Sequence, residues 1–123
     1  MDEFELIDQI FHRPEGSTPQ VVLGIGDDGA VLKVTAGKQS VVVMDTLVAG
    51  VHFLDSQPPD SIGHRALAAN LSDIAAMGAV PRWATLSLTL PEVNEDWLNG
   101  FADGFFDLAG RHEVALVGGD TTA

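Results

Sequence analysis

Cysteine is absent from the 123 residues, which excludes disulfide bonds and thiolate metal sites. Positive charge is scarce, since six lysines and arginines stand against eighteen acids and leave a net charge of −12. Nucleic acids and anionic membranes require clustered basic side chains, so neither is an expected partner. No apolar run approaches the roughly 20 residues of a membrane span, and the acidic start "MDEFELIDQIFHRP" is unlike a signal peptide. We therefore expect a cytoplasmic protein.

The residues that are present, 46% of them hydrophobic, suit one domain around one core. Apolar periodicity predicts five strand-like runs and an α+β fold in which helices cover a mixed four-stranded sheet. The predicted helices comprise residues 3–11, 62–77 and 94–108, with Asp60 or Ser61 capping the second and Asn94 the third. The predicted strands comprise 21–23, 30–34, a buried 41–43, 83–90, and a last strand from 113 that breaks at Gly118-Gly119. The chain stops soon after this strand with no closing element, so we expect its C-terminal end to be cut rather than finished.

The stretch "GIGDDG" at residues 24–29 matches the glycine pattern of dinucleotide-binding turns. Asp27 and Asp28 would place two negative charges where the pyrophosphate must sit, and no helix is predicted to follow. A pair of carboxylates on a glycine-flanked turn favours a cation site instead.

Further carboxylates lie at the ends of apolar runs or inside an apolar helix. Asp45 and Asp120 follow β-rich runs, and Asp73 is the only charged residue between Ala66 and Pro81. Each could simply be a turn or cap residue. Several such acids on one sheet can instead converge on one edge, and hard oxygen ligands without a His or Cys cluster suit Mg²⁺. Magnesium beside glycine-rich turns indicates phosphate chemistry, most commonly phosphoryl transfer from ATP.

Four stretches of the chain, in order, are "GIGDDGAVL", "DTLVAGVHFL", "IGHRALAANLSDIAAMGAVPRWATLSLTLP" and "LVGGDTT". Together they resemble the N-terminal domain of the thiamine-monophosphate kinases, within the superfamily of aminoimidazole ribonucleotide synthetase and selenophosphate synthetase. The resemblance covers nearly the whole chain.

This resemblance implies that residues 1–123 are an ATP- and Mg²⁺-binding, dimerising domain whose sheet forms a barrel across a homodimer, with the C-terminal domain absent. It implies ATP-dependent conversion of thiamine monophosphate to thiamine diphosphate with several Mg²⁺ ions. Carried over by motif, Asp28, Asp45, Asp73 and Asp120 are metal ligands, Gly119 and Asp120 contact ATP, and His52 contacts the substrate.

The resemblance assigns no proton-transfer residue, because the phosphate nucleophile is already ionised. The family usually has hydroxyl residues before the "DT" aspartate, where this chain has Val43 and Met44. At these positions we expect backbone carbonyls or water to replace the hydroxyls. Two alternatives stay open: a dimerisation module that is inactive alone, and a different synthetase of the same superfamily. We expect the isolated chain to show little turnover.

Overall fold

The structure, a computed structural model, describes residues 10–11, 21–23, 29–45, 57–89 and 94–122. Its elements confirm an α+β chain with two helices and four strands in these ranges. In order they are β1 (Val21–Leu23), β2 (Val31–Leu32), α1 (Pro59–Ala76), β3 (Trp83–Thr89), α2 (Glu95–Arg111) and β4 (Ala115–Thr122).

The strands pair as two two-stranded sheets rather than as the predicted single sheet of four. β1 and β2 are antiparallel, whereas β3 and β4 are parallel and are joined through α2. A parallel pair needs a long crossover, which α2 supplies. β1 also lies near β4, so the two sheets are neighbours within the described part of the chain.

The core lies between α1, α2 and the β3–β4 pair. The helical period predicted for α2 through Trp97, Phe101, Phe105 and Leu108 is confirmed, because the last three are buried and Trp97 packs partly buried against the core. Their partners include Leu67 on α1 and Leu116 on β4. Ile10 and Phe11 are buried in the same core, whereas the rest of the predicted first helix lies outside the described residues. Neither α1 nor α2 is long and apolar enough to cross a membrane.

The two helices approach each other so closely that their contact includes backbone. A Cβ added at Gly63 of α1 would overlap the carbonyl oxygen of Phe101, and one added at Gly104 of α2 would overlap that of Asp60. Only glycine leaves room for these carbonyl groups. The helix pair therefore depends on residues that contribute no side chain to the core.

The helix starts differ in how well the sequence predicts them. Asn94 caps α2 as predicted, since its Oδ1 accepts a hydrogen bond from the Trp97 N–H at 3.0 Å. α1 begins earlier than predicted, at Pro59, with Pro58 in the cap position, so the predicted cap at Asp60 or Ser61 is wrong. Proline at the first helical position is favoured because its fixed φ suits the helix and its missing N–H would have no intrahelical partner there.

The buried strand predicted at residues 41–43 is wrong. This segment has no strand pairing in the structure, and Val42 is 87% exposed. The β-branched run has the composition of a core strand, yet no described element covers it. Met44, at 88% exposure, extends the same apolar surface.

Glycine-to-alanine substitutions test the helix contact. We expect Gly63→Ala and Gly104→Ala each to lower the free energy of unfolding by about 1–3 kcal/mol, because the helices must separate to admit a methyl group. Gly110→Ala is the matched control, since a Cβ on this α2 glycine meets no described atom within 4 Å. It should be neutral or stabilising by about 0.4–1 kcal/mol. Urea unfolding of the three variants checks this, and equal behaviour of all three would contradict the close contact.

Candidate functional site

The end of β4 carries "GGDTT", and an irregularity in the strand pairing precedes it. Ala84 pairs with Leu116, but the next residue of β3, Thr85, pairs with Gly118. β4 therefore contains one extra residue, Val117, which is a β-bulge. The strand continues through Gly118-Gly119 to Thr122, so the break predicted there is wrong: a bulge accommodates the glycines without ending the pairing.

The bulge changes which face of the sheet each later residue of β4 belongs to. Because successive residues alternate between faces, one inserted residue reverses the assignment of all that follow. After it, Gly119 pairs with Leu86 and Asp120 pairs with Ser87. Leu86 packs against the helix-covered core, whereas Ser87 is exposed. The register therefore places the backbone of Asp120 beside that of the exposed Ser87.

Gly119 is a glycine for structural reasons. Its φ is +148°, in the region that disfavours other residues, and an added Cβ would overlap the backbone of Leu86. Any nucleotide contact at Gly119 would use a backbone that is already held against β3.

Asp73 lies near the C-terminal end of α1 and is exposed. This end of a helix carries partial negative charge, which disfavours a carboxylate and favours a cation. The last turn of α1 contains no basic residue. Asp73 is thus solvated despite its apolar sequence context, and a bound cation would offset the unfavourable negative potential at this end of α1.

Asn70 precedes Asp73 by one helical turn and is only partly hydrogen-bonded. Its Nδ2 donates to the Ala66 carbonyl at 3.0 Å. Its Oδ1 is buried and, among the residues that the structure describes, has no hydrogen-bond partner. A buried acceptor without a donor costs free energy, so this oxygen is free to accept a hydrogen bond from a group outside the described residues.

Of the other predicted site residues, Asp45 is described and is exposed to solvent. Asp28 and His52 lie outside the described residues. In the ranges that are described, no three His, Asp or Glu side chains come together as a metal site. The described acids thus show suitable donor chemistry and solvent access for Mg²⁺, while their convergence with Asp28 stays a prediction.

The bulge and the orphaned Asn70 oxygen were both missed by the sequence interpretation. No local sequence signal specifies a bulge at Val117 apart from the glycines that follow it. The exposed row Thr85, Ser87 and Thr89 was readable, because "WATLSLT" alternates as a strand with one polar face.

Comparison with known proteins places this geometry in context. The model of the family described as "AIR synthase related protein, N-terminal domain" matches residues 26–123. The chain is 51% identical over 120 residues to thiamine-monophosphate kinase of Escherichia coli (strain K12), covering 98% of the chain. It is 42% identical over 125 residues to the thiamine-monophosphate kinase of Bacillus subtilis (strain 168).

Two solved structures of thiamine-monophosphate kinases also match this chain. The crystal structure of thiamine-monophosphate kinase from Stenotrophomonas maltophilia K279a matches all of this chain with a TM-score of 0.84 and 51% identity. That from Aquifex aeolicus matches 60% of the chain with a TM-score of 0.57 and 34% identity. The chain spans 37% of the length of the Escherichia coli protein and 39% of the Stenotrophomonas chain.

Adjacent glycines of β4 provide a test of the strand geometry. Gly119→Ala should lower the free energy of unfolding by about 1–3 kcal/mol, because it combines a disfavoured φ with overlap against Leu86. Gly118→Ala should change it by no more than about 0.5 kcal/mol, since its Cβ meets no described atom within 4 Å. Thermal or urea unfolding distinguishes the two, and an unaffected Gly119→Ala variant would show that the strands are not so close.

Proposed function

This chain belongs to the family of AIR synthase related proteins, in which it represents the N-terminal domain, and we propose that it serves as the ATP- and Mg²⁺-binding domain of a thiamine-monophosphate kinase. The observation that carries the proposal is the 51% identity to a kinase of that name along 98% of this chain. The proposed reaction transfers the γ-phosphoryl group of ATP to thiamine monophosphate and yields thiamine diphosphate.

The chemistry requires little from side chains that move protons. A phosphate oxygen of thiamine monophosphate is already ionised, so no general base is needed and we assign none. The main obstacle is repulsion between two polyanions. Six lysines and arginines in 123 residues supply little positive charge. The carboxylates proposed below would hold Mg²⁺, whose positive charge would offset the repulsion between the phosphates.

The residues proposed to hold these ions are Asp28, Asp45, Asp73 and Asp120, with Gly119 and Asp120 also contacting ATP. The exposure of Asp45 and Asp73 supports this role, since an ion can reach both without rearrangement of the core. His52 is proposed to contact thiamine monophosphate. Val43 and Met44 can contribute only backbone carbonyls, because their side chains have no oxygen.

The chain alone is proposed to be inactive, since it spans 37% of the length of its Escherichia coli relative. A second role, assembly, is favoured by the exposed apolar surface around Val42 and Met44. We propose that this surface helps to form a homodimer, with the sheets closing into a barrel across the two-fold axis. The cytoplasmic location and the absence of nucleic acid or membrane partners stay predictions from the sequence.

A kinase assay tests the function directly. The full-length protein, supplied with ATP and Mg²⁺, should convert thiamine monophosphate to thiamine diphosphate. A panel that includes other substrates of the superfamily's synthetases separates this proposal from the alternative. Turnover of another substrate in place of thiamine monophosphate would replace the proposed function, and activity of residues 1–123 alone would contradict the assignment of an incomplete site.

Substitution of Asp73 tests the proposed ion site. Asp73→Asn in the full-length protein should reduce turnover at least about tenfold, because loss of a ligand should cost no less than loss of a residue supporting one. The melting temperature should not fall, since Asp73 is exposed and its charge lies at the unfavourable end of α1. Asp107→Asn is the control: it removes an exposed helical carboxylate that pairs with Arg111. Near-normal turnover of Asp73→Asn would remove Asp73 from the site.

Sedimentation tests the proposed dimer. The protein should sediment as a dimer at tens of micromolar, the order-of-magnitude range for a modest interface. Val42→Glu should shift it toward monomer, because burying an unpaired charge in an apolar interface is costly. Val80→Glu is the matched control, since Val80 is also highly exposed, at 70%, but lies between α1 and β3. A monomeric wild-type protein would contradict the proposed assembly.

A further inference from the structure

The turn that ends α1 is held in place by the backbone of the helix itself. The Ala79 N–H donates a hydrogen bond to the Ile74 carbonyl at 3.1 Å. The Gly78 N–H donates to the Ala75 carbonyl at 3.0 Å, and Gly78 has a φ of +70°. This pair of bonds around a left-handed residue is a Schellman motif. The turn is therefore an ordered end to the helix rather than a loose connection.

α2 ends in the same motif, but with polar side chains. The Val114 N–H donates to the Ala109 carbonyl at 2.9 Å, and the Glu113 N–H donates to the Gly110 carbonyl at 3.4 Å. Glu113 takes the left-handed position, with a φ of 55°. Glu113 and the C-cap residue His112 are both exposed. Polar residues are the usual choice for a turn in water, so the turn of α2 has the composition of a solvated turn.

The turn of α1 exposes apolar side chains on the same backbone geometry. We call residues 75–80 the apolar turn. Met77, which is the C-cap residue of α1 as His112 is of α2, is 64% exposed, and Val80 is 70% exposed. The comparison with α2 shows that the motif does not require apolar side chains. Because the backbone is already ordered, a partner that covers them would cost little conformational entropy. The apolar turn thus has the properties of a docking surface.

The apolar turn adjoins the proposed ion ligand Asp73. Asp73 lies four residues before Met77, so the two share one side of α1, and the Met77 N–H donates to the Asp73 carbonyl at 3.1 Å. The family model that matches this chain is that of an N-terminal domain, and the chain spans 37% of its Escherichia coli relative. A segment that completes a phosphoryl-transfer site beside Asp73 and excludes water from it would therefore lie next to the apolar turn.

We infer that the apolar turn is the docking surface for the part of the full-length protein that follows residues 1–123, and that apolar side chains of that part cover it. This inference rests on the proposed function, which makes the chain one domain of a longer kinase with Asp73 in its site. A second copy is the less favoured occupant, because the more exposed apolar surface around Val42 and Met44 already serves the proposed homodimer. The competing explanation is that solvent covers the turn in the full-length protein as well.

Alkylation of introduced cysteines measures whether the apolar turn is covered. Residues 1–123 contain no cysteine, and mass spectrometry of peptides separates an introduced thiol from any other thiol in the full-length protein. Met77→Cys and Val80→Cys are the two probes. His112→Cys is the matched control, since His112 is exposed and the end of α2 acts on a thiol there as the end of α1 does at Met77. Each rate is divided by the rate of the same variant in denaturing urea, which removes the effect of local sequence.

In the folded full-length protein, both probes should react with iodoacetamide at least about tenfold more slowly than His112→Cys, because a covered thiol reacts only while the contact is open. This protection should not depend on protein concentration, since the contact lies within one chain. Reaction of either probe as fast as the control would overturn the inference. So would protection that disappears when the protein is diluted until it is monomeric, because a second copy would then be the occupant.

The outcome for the proposed function is read separately. Protected probes in a protein that does not phosphorylate thiamine monophosphate would support the docking surface and refute the proposed function. Normal kinase activity with unprotected probes would refute the docking surface alone.

Discussion

The close contact between α1 and α2 determines how the described helices and strands are arranged. Gly63 and Gly104 let the backbone of each helix meet the other, so the helices form a single layer with a fixed separation. α2 is also the crossover between the parallel strands β3 and β4. Fixing α2 against α1 therefore fixes where the parallel pair lies, and Phe101, Phe105 and Leu116 then complete the core between them. Of the proposed site residues, Asp73 lies near one end of this layer, at the C-terminal end of α1.

The acids at those margins are placed by backbone geometry. The backbone of Asp120 owes its register with Ser87 to the bulge at Val117, and Asp73 lies near the negative end of α1, whose last turn has no basic residue. A chain of net charge −12 that sets carboxylates in such positions gains from any divalent cation that they share. This preference of the acids for a divalent cation is also what the proposed kinase chemistry requires. It also gives a reason why so acidic a domain could accept a phosphorylated substrate.

The sequence predicts what is local and misses what depends on pairing. The spacing of Phe101 and Phe105 and the cap at Asn94 specify α2 because both signals lie within the helix itself. Residues 41–43 have a strand-like composition, but composition cannot tell whether another strand is present to pair with them. The break predicted in β4 at Gly118-Gly119 is wrong for the same reason. A bulge depends on the pairing of two strands, and only one of them contains the glycines. The ion site is predicted residue by residue only through resemblance, because its members are distant in sequence.

We propose that the carboxylates form a specific divalent-cation site rather than a diffusely acidic surface. The most direct test is the melting temperature of the protein at pH 7 in MgCl₂ and in NaCl of equal ionic strength. Screening relieves diffuse repulsion equally in both salts, whereas an ion that binds only the folded state stabilises it further, by about 1.4 kcal/mol at ten times its dissociation constant. We expect a higher melting temperature in MgCl₂ than in matched NaCl, and loss of that difference in Asp73→Asn. Equal melting temperatures of the wild-type protein in the two salts would contradict it.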